Sequence, residues 1–331
     1  MSDRKNDHLH LVSQSQTLVP ENDTRFIYEP LLKSHPRGDF APFKFLKKQI
    51  KTPIWASSMT GGTQMAKTIN HNIARVCKDF GMGMGLGSCR VLLDDDTYLE
   101  DFDVRSVIGD KLPLYANLGI AQLEQLIAKN KIEAIEKLLE KLRADGLIIH
   151  INPMQEWFQP EGNTITQPPI VTIERLIDKV KYPVIVKEVG QGMGVESLRS
   201  LLQLPLAAIE FGAFGGTNFS ILEMYRADEK ILDAYKPFAF VGQTAEEMVR
   251  DINGLLKSID VRCTEVIISG GIKSFLDGYY YMEKCKLNSV YGMASAILKH
   301  AKVGYDELFQ FIESQVEGLK MARNFLRVED S

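Results

Sequence analysis

The chain has 331 residues, 45% hydrophobic and 25% charged, a composition that supports a large buried core and argues against extended disorder. A formal charge of −4 excludes general attraction to nucleic acid, so an anionic ligand has to be met by local clusters of cations. The first thirty residues lack an apolar signal core, no run approaches membrane-spanning length, and the four cysteines form no C-x-x-C pair; the expectation is a cytoplasmic protein without membrane or nucleic-acid partners.

Residues 1–50 are expected to form an N-terminal arm and pre-barrel segment, with Arg4, Lys5 and His8 in a polar stretch. From residue 53 onward come eight short apolar runs, each followed by glycine or polar residues and then by helical periodicity: 53–58, 82–87, 113–118, 146–151, 183–188, 207–211, 265–269 and 289–293. After the third run, Ile132, Ile135, Leu138, Leu139 and Leu142 mark a helical stripe; after the fourth, Ile173, Leu176, Ile177 and Val180 mark another. Alternation of strand and helix makes the sheet parallel, and eight such units favour a (β/α)8 TIM barrel over residues 51–331 rather than a doubly wound open sheet. The stretch 218–243, with Pro237, is too long for a simple crossover and reads as a cap insertion after strand six, while 309–326 is an amphipathic C-terminal helix. Glycines alternate from Gly81 to Gly87, but Leu86 stands at the third glycine position of G-x-G-x-x-G, which points to a crowded barrel strand instead of a dinucleotide fingerprint.

Active sites of such barrels stand at the carboxyl ends of the strands. All eight exits carry polar or glycine-rich residues: Ser58-Met59-Thr60-Gly61-Gly62, Ser88-Cys89-Arg90, Asn117, the stretch from His150 to Glu156, Lys187-Glu188, Gly215-Gly216-Thr217-Asn218, Ser269-Gly270-Gly271 and Gly292-Met293-Ala294. The last two suit a phosphate, because glycine lets backbone N–H groups and a helix N-terminus approach closely, though each alone is equally a glycine turn. Lys187 ends an apolar run and would point into the mouth, where a buried ammonium calls for an anion. A reduced flavin ring is one such anion; a structural ion pair with Glu188 or Glu210 is the other reading. Thr60, Ser88 and Asn117 can supply directional hydrogen bonds to a ring edge and ribityl chain, or serve as turn residues. His150 is either a ligand or a satisfied core histidine, and Arg4 and Lys5 are either ligands or a solvated tail.

In order and spacing, Arg4-Lys5-x-x-His8, Ser58-Met59-Thr60-Gly61-Gly62, Gly87-Ser88-x-Arg90, Asn117-Leu118-Gly119, His150-x-Asn152-Pro153-x-Gln155-Glu156, Val186-Lys187-Glu188 and Gly215-Gly216-Thr217-Asn218 resemble the type 2 isopentenyl diphosphate isomerase family. The stretch 150–156 followed by Gln159-Pro160-Glu161-Gly162 is the most specific part. The resemblance implies FMN bound by Ser58, Met59, Thr60, Ser88, Asn117, Lys187, Thr217, Gly270, Gly271, Met293 and Ala294. It implies substrate contacts from Arg4, Lys5, His8, Arg90, His150, Asn152 and Gln155, with Gln155 catalytic and Mg²⁺ held by Glu156. The implied activity interconverts isopentenyl and dimethylallyl diphosphate for isoprenoid biosynthesis by acid/base chemistry of a flavin that NADPH reduces, without net redox change. A homo-oligomer, tetramer or octamer, is implied as well. The chain departs from the family pattern at Cys89 for glutamine, Asn163 for aspartate, Gln243 for proline and Lys273 for arginine, and Tyr279-Tyr280-Tyr281 is atypical.

One rival is an FMN-dependent oxidoreductase on the same barrel. Hydroxyacid oxidation needs a histidine base near the sixth exit and a thioimidate dehydrogenase needs a loop cysteine, and residues 211–216 contain neither. The other rival is a non-catalytic flavin- or phosphate-binding barrel, against which Gln155-Glu156 at a strand exit argues.

Overall fold

Apolar runs without polar alternation are the mark of parallel strands covered on both faces. In the computed structural model, which describes residues 2–329 apart from 59, 64 and 228, these runs close on themselves. The barrel strands are β1 (Ile54–Ala56), β2 (Gly83–Gly85), β3 (Leu114–Gly119), β4 (Gly146–Ile151), β5 (Val184–Glu188), β6 (Ala208–Glu210), β7 (Glu265–Ser269) and β8 (Asn288–Met293). Each pairs in parallel with the next, and β8 pairs with β1 to close the ring. All eight expected runs are strands, with ends shifted by no more than two residues.

Period-two alternation decides what fills the barrel. Trp55 and Tyr115 meet edge to face inside it, with ring centroids 6.2 Å apart. Gly83 makes room for them: a Cβ there would lie 2.3 Å from Trp55 Cζ3, so β2 is the crowded strand that its glycine spacing implied. Two residues further along each strand, the same alternation carries Ser57, Asn117, His150, Lys187, Glu210 and Ser269 to the layer below the mouth.

The amino end is closed by the hairpin of Phe43–Phe45 and Lys48–Ile50, whose Phe45 and Ile50 are buried. Leu46 N donates to Glu265 Oε2 at 2.8 Å and Lys48 Nζ to the Asp110 and Leu112 carbonyls at 2.8 and 3.2 Å, all beside strand starts. Strand Phe26–Tyr28 pairs antiparallel with Leu326–Val328. The atypical tyrosines serve this docking: Phe26 stacks on Tyr279 at 6.0 Å, and Arg25 bonds Asp277 of the same helix, Phe275–Lys284, at 2.8 Å.

The two helical stripes lie as the periodicity predicts. Glu133–Leu142 buries Ile135, Leu138, Leu139 and Leu142, and Pro169–Ile177 buries Ile173 and Leu176. The C-terminal helix spans Tyr305–Phe325, with Leu308, Ile312, Val316 and Leu319 inward. Residues 218–243 form a helical cap made of Phe219–Arg226, Glu229–Tyr235 and the 3₁₀ turn Lys236–Phe240. Asn218 starts it by accepting from Ile221 N at 3.1 Å. Met224 and Ala239 pack with Phe158, so the cap rests on helix Pro153–Phe158, which leaves β4. All four cysteines are free and buried, and among the described residues no helix is long and apolar enough to cross a membrane.

Candidate active site

The exits of β1, β5, β6, β7 and β8 enclose a cavity of about 170 Å³. It is lined by seven of the residues expected to hold FMN: Ser58, Lys187, Thr217, Gly270, Gly271, Met293 and Ala294. The loops after β6 and β7 can approach because they lack side chains; a Cβ on Gly270 (φ +88°) would lie 2.1 Å from the Ala213 carbonyl oxygen. Helix Ser295–Val303 starts at the cavity wall, and the N–H groups of its first turn have no intrahelical partner. The enclosed volume suits a phosphate, while a ring and ribityl chain need the open mouth above it. Ser58 Oγ is buried there without a partner, as is Glu210 Oε2. A close-packed glycine cradle, a helix N-terminus, one cation and unspent polar atoms are a donor set that fits a flavin phosphate and ring edge.

Lys187 does not form the ion pair with Glu188 that its neighbour position allows. Its Nζ donates to the Glu188 backbone oxygen at 2.7 Å, while the Glu188 carboxylate accepts from the N–H groups of Gly190, Gln191 and Gly192 at 2.6, 2.6 and 2.9 Å. Burial pushes the Glu188 carboxyl up from its ordinary value against those three bonds. Glu210, opposite Lys187 on β6, is fully buried and accepts from Ser57 Oγ at 2.6 Å; burial raises its pKa and the nearby Lys187 charge opposes the rise.

Beside this cavity, the β4 exit gathers the second group. His150 Nδ1 lies 2.8 Å from Asn117 Oδ1, and Asn117 Nδ2 donates to the Leu86 carbonyl at 3.1 Å. That second bond fixes the amide, so Nδ1 carries the imidazole proton and Nε2 is left as an acceptor. Burial, then the charges of Lys187 and Arg90, push the His150 pKa down to about 3, so the ring is neutral. Asn152 is buried and donates to Gln155 Oε1 at 3.1 Å and Glu156 Oε1 at 3.2 Å, with its own Oδ1 unpartnered. Glu156 Oε2 accepts from Asn163 N at 2.6 Å, a backbone bond that the exchange of aspartate for asparagine there leaves intact. Among the described residues no three His, Cys, Asp or Glu side chains gather as a metal cluster, so Glu156 stands as a single carboxylate.

Sequence reasoning missed Glu223 of the cap. Its Oε1 accepts from Gln155 Nε2 at 3.1 Å and its Oε2 from Arg226 Nη1 at 2.6 Å, so the cap fixes the glutamine amide from the side opposite Asn152. The available signal was helical spacing: Ser220, Glu223 and Met224 share the buried face of Phe219–Arg226.

Other expected residues stand apart. Thr60 contributes backbone beside Gly87, its carbonyl accepting from Asn70 Nδ2 at 3.0 Å, and Ser88 is exposed at the β2 exit. Arg90 is exposed and borders an outer groove of about 650 Å³ with Gln122 and Asn163, although its charge reaches His150. Cys89, in the family's glutamine position, is buried with its thiol pushed up to about 12 by burial, so it offers neither an amide nor a nucleophile. Met59 lies outside the described residues.

The structure does not bring Arg4, Lys5 and His8 to the mouth: they are exposed on the polar helix Ser2–Leu11 and do not line the cavity. A grip on substrate would require the arm to close. Deleting residues 1–8 is therefore expected to raise KM for a diphosphate substrate by about tenfold, the worth of one or two exposed charge contacts, while FMN uptake is unchanged. An unchanged KM would assign the arm to solvent.

No family model matches the chain. It is 34% identical over 281 residues to the isopentenyl-diphosphate delta-isomerase of Rickettsia akari (strain Hartford), covering 84% of this chain and 78% of that one. With the enzyme of the same name from Rickettsia peacockii (strain Rustic) it shares 32% over 328 residues, covering 96% and 92%. Among solved structures, a flavocytochrome b2 double mutant with pyruvate bound superposes at TM-score 0.63 with 16% identity, covering 96% of this chain and 81% of that one. A mandelate oxidase variant with 2-hydroxy-phenylacetamide superposes at 0.56 with 14% identity, covering 93% and 87%. These structural likenesses concern the barrel fold.

Proposed function

This chain belongs to the isopentenyl-diphosphate delta-isomerase family, and on that premise we propose that it interconverts isopentenyl and dimethylallyl diphosphate with FMN held at the β1, β5, β6, β7 and β8 exits. The observation that carries the reading is the sharing of one barrel mouth by an anion cradle with Lys187 and, on the adjacent strand, by the group His150, Asn152, Gln155 and Glu156. NADPH as reductant, Mg²⁺ at Glu156, a homo-oligomer and a cytoplasmic setting belong to the same proposal. An oxidoreductase on this barrel is not favoured, because the sixth exit offers no histidine base or cysteine nucleophile.

When bound and reduced, FMN supplies a proton and an electron-rich face to an alkene that ordinary side-chain acids cannot protonate. The chain's own residues do the rest. Ser58, Thr217 and the Gly270-Gly271 turn orient the cofactor, and Lys187 presents a cation to the ring. Asn152 would hold the diphosphate together with Arg90, once that side chain turns in from the outer groove, and Glu156 would hold an Mg²⁺ that offsets the remaining charge. His150 presents a lone pair at Nε2, so gripping a phosphate oxygen requires that atom to take up a proton from solvent. Gln155, clamped between Asn152 and Glu223, holds the alkene end in register or assists the return of the proton.

The test is FMN uptake. Apoprotein mixed with FMN should turn yellow and retain the flavin through gel filtration, and Lys187→Gln should weaken that binding by about tenfold, the scale of one charge-assisted contact. A wild-type chain that stays colourless would sink the proposal.

A further inference from the structure

Glu210 is the most completely buried carboxyl of the barrel and has no part in the chemistry above. It lines the cavity, yet it is 0% exposed. Three neighbouring strands converge on it. Trp55 and Ser57 come from β1, Ser269 from β7, and Lys187 is its register partner on β5. Ser57 Oγ donates to Oε1 at 2.6 Å, and Ser269 Oγ accepts from Gly212 N at 3.0 Å while its own hydroxyl, facing Glu210, favours the ionised carboxylate. Oε2 has no hydrogen-bond partner, although Trp55 Nε1 is likewise buried without one. An ionised carboxylate in this place is tolerated only while a cation faces it, and Lys187 is the cation that does so.

That pairing conflicts with the use of Lys187 by the cofactor. A reduced ring or a phosphate drawn to the ammonium sets two negative groups around one positive charge, beside a carboxyl that is itself fully buried. Like charges in a shared site force one of them to hold a proton. The ligand cannot retreat, and the carboxyl with the unspent oxygen can be protonated without losing its bond from Ser57. The other titratable groups facing the cluster are Glu188, which feels the Lys187 charge but whose carboxylate is held by three backbone N–H groups, His150, the register partner of Lys187 on β4, and Lys273 at the cavity rim. His150 starts near 3 and stays neutral, whereas burial already raises Glu210 toward protonation.

We propose that Glu210 is the charge-compensating residue of this site, facing the Lys187 charge across the strand register in the empty cavity and taking up one proton from solvent when an anionic cofactor occupies it. The inference rests on the FMN reading of the cavity. Glu210 acts through Lys187 and is therefore a positioning residue, not a catalytic one. Its consequence is a linkage: affinity for FMN is constant below the empty-site pKa of Glu210. It then falls by up to tenfold per pH unit between that value and the raised loaded-site value.

The experiment is calorimetric titration of apoprotein with FMN at about pH 8, where the free phosphate is almost wholly ionised, in buffers of different ionisation enthalpy. Wild type should take up about one proton per FMN, and Glu210→Gln, which keeps the volume and the acceptor for Ser57, should take up none while still binding the flavin. FMN binding by wild type without proton uptake would overturn this inference alone, as would equal uptake by a folded Glu210→Gln protein. Should the variant not fold, the slope of FMN affinity against pH in wild type decides, and a flat slope overturns the inference. Failure of the wild-type chain to bind FMN at all would overturn the site reading and this inference together.

Discussion

Glu156→Gln is expected to lower kcat about a hundredfold and to move the Mg²⁺ requirement to higher concentration, with FMN absorption unchanged. The carboxylate is buried and held by Asn163 N at 2.6 Å and by the Asn152 amide at 3.2 Å. A charge so placed beside a diphosphate repels it unless a cation lies between, and Mg²⁺ binds through one or two carboxylates together with phosphate oxygens. Glutamine keeps the volume and can still accept from Asn163 N, so the negative charge is the principal loss. Steady-state rates measured against Mg²⁺ read this directly. If the variant kept the parent titration and rate, the metal would belong to phosphate and water alone.

Gln155→Ala should cost about 10²–10³-fold in kcat, the scale of a group that acts on the reacting atoms, without changing either the Mg²⁺ half-saturation or FMN uptake. Its amide is fixed at both ends, by Asn152 at 3.1 Å and by Glu223 at 3.1 Å, and Glu223 is itself held by Arg226. A neutral amide has no hold on a cation, so the metal titration separates this variant from Glu156→Gln. The expected readout is kcat, KM and flavin absorption measured on one preparation. Loss of FMN in parallel with kcat would show that the β4 exit had collapsed, and retained kcat would remove Gln155 from the chemistry.

The barrel was legible because parallel strands buried on both faces leave short, unalternating apolar runs. The fourth and seventh, 146–151 and 265–269, match their strands residue for residue. The sixth is shorter than its run, 208–210 against 207–211, because the chain turns at Gly212 (φ +53°) to clear the Glu188 carbonyl, a tertiary contact that no local pattern records. At the site, polar residues at strand exits could be recognised one by one, and Ser58, Lys187, Gly270 and Ala294 do meet in one cavity. The role of Glu223 could not be read in this way. A carboxylate on a short helix resembles solvated surface, and its partner Gln155 lies 68 residues earlier. The arm shows the opposite limit: Arg4, Lys5 and His8 carry a family motif, but nothing in a polar helix of exposed side chains fixes where it rests.

The central claim is that reduced flavin in this mouth isomerises an alkene without net redox change. Its most direct test is anaerobic incubation of FMN-loaded protein with isopentenyl diphosphate and Mg²⁺, before and after chemical or photochemical reduction, with both diphosphates quantified. Dimethylallyl diphosphate should form only after reduction, over many turnovers, with no reductant consumed per product. Product from rigorously oxidised protein, or one equivalent of reductant consumed at each turnover, would contradict the account.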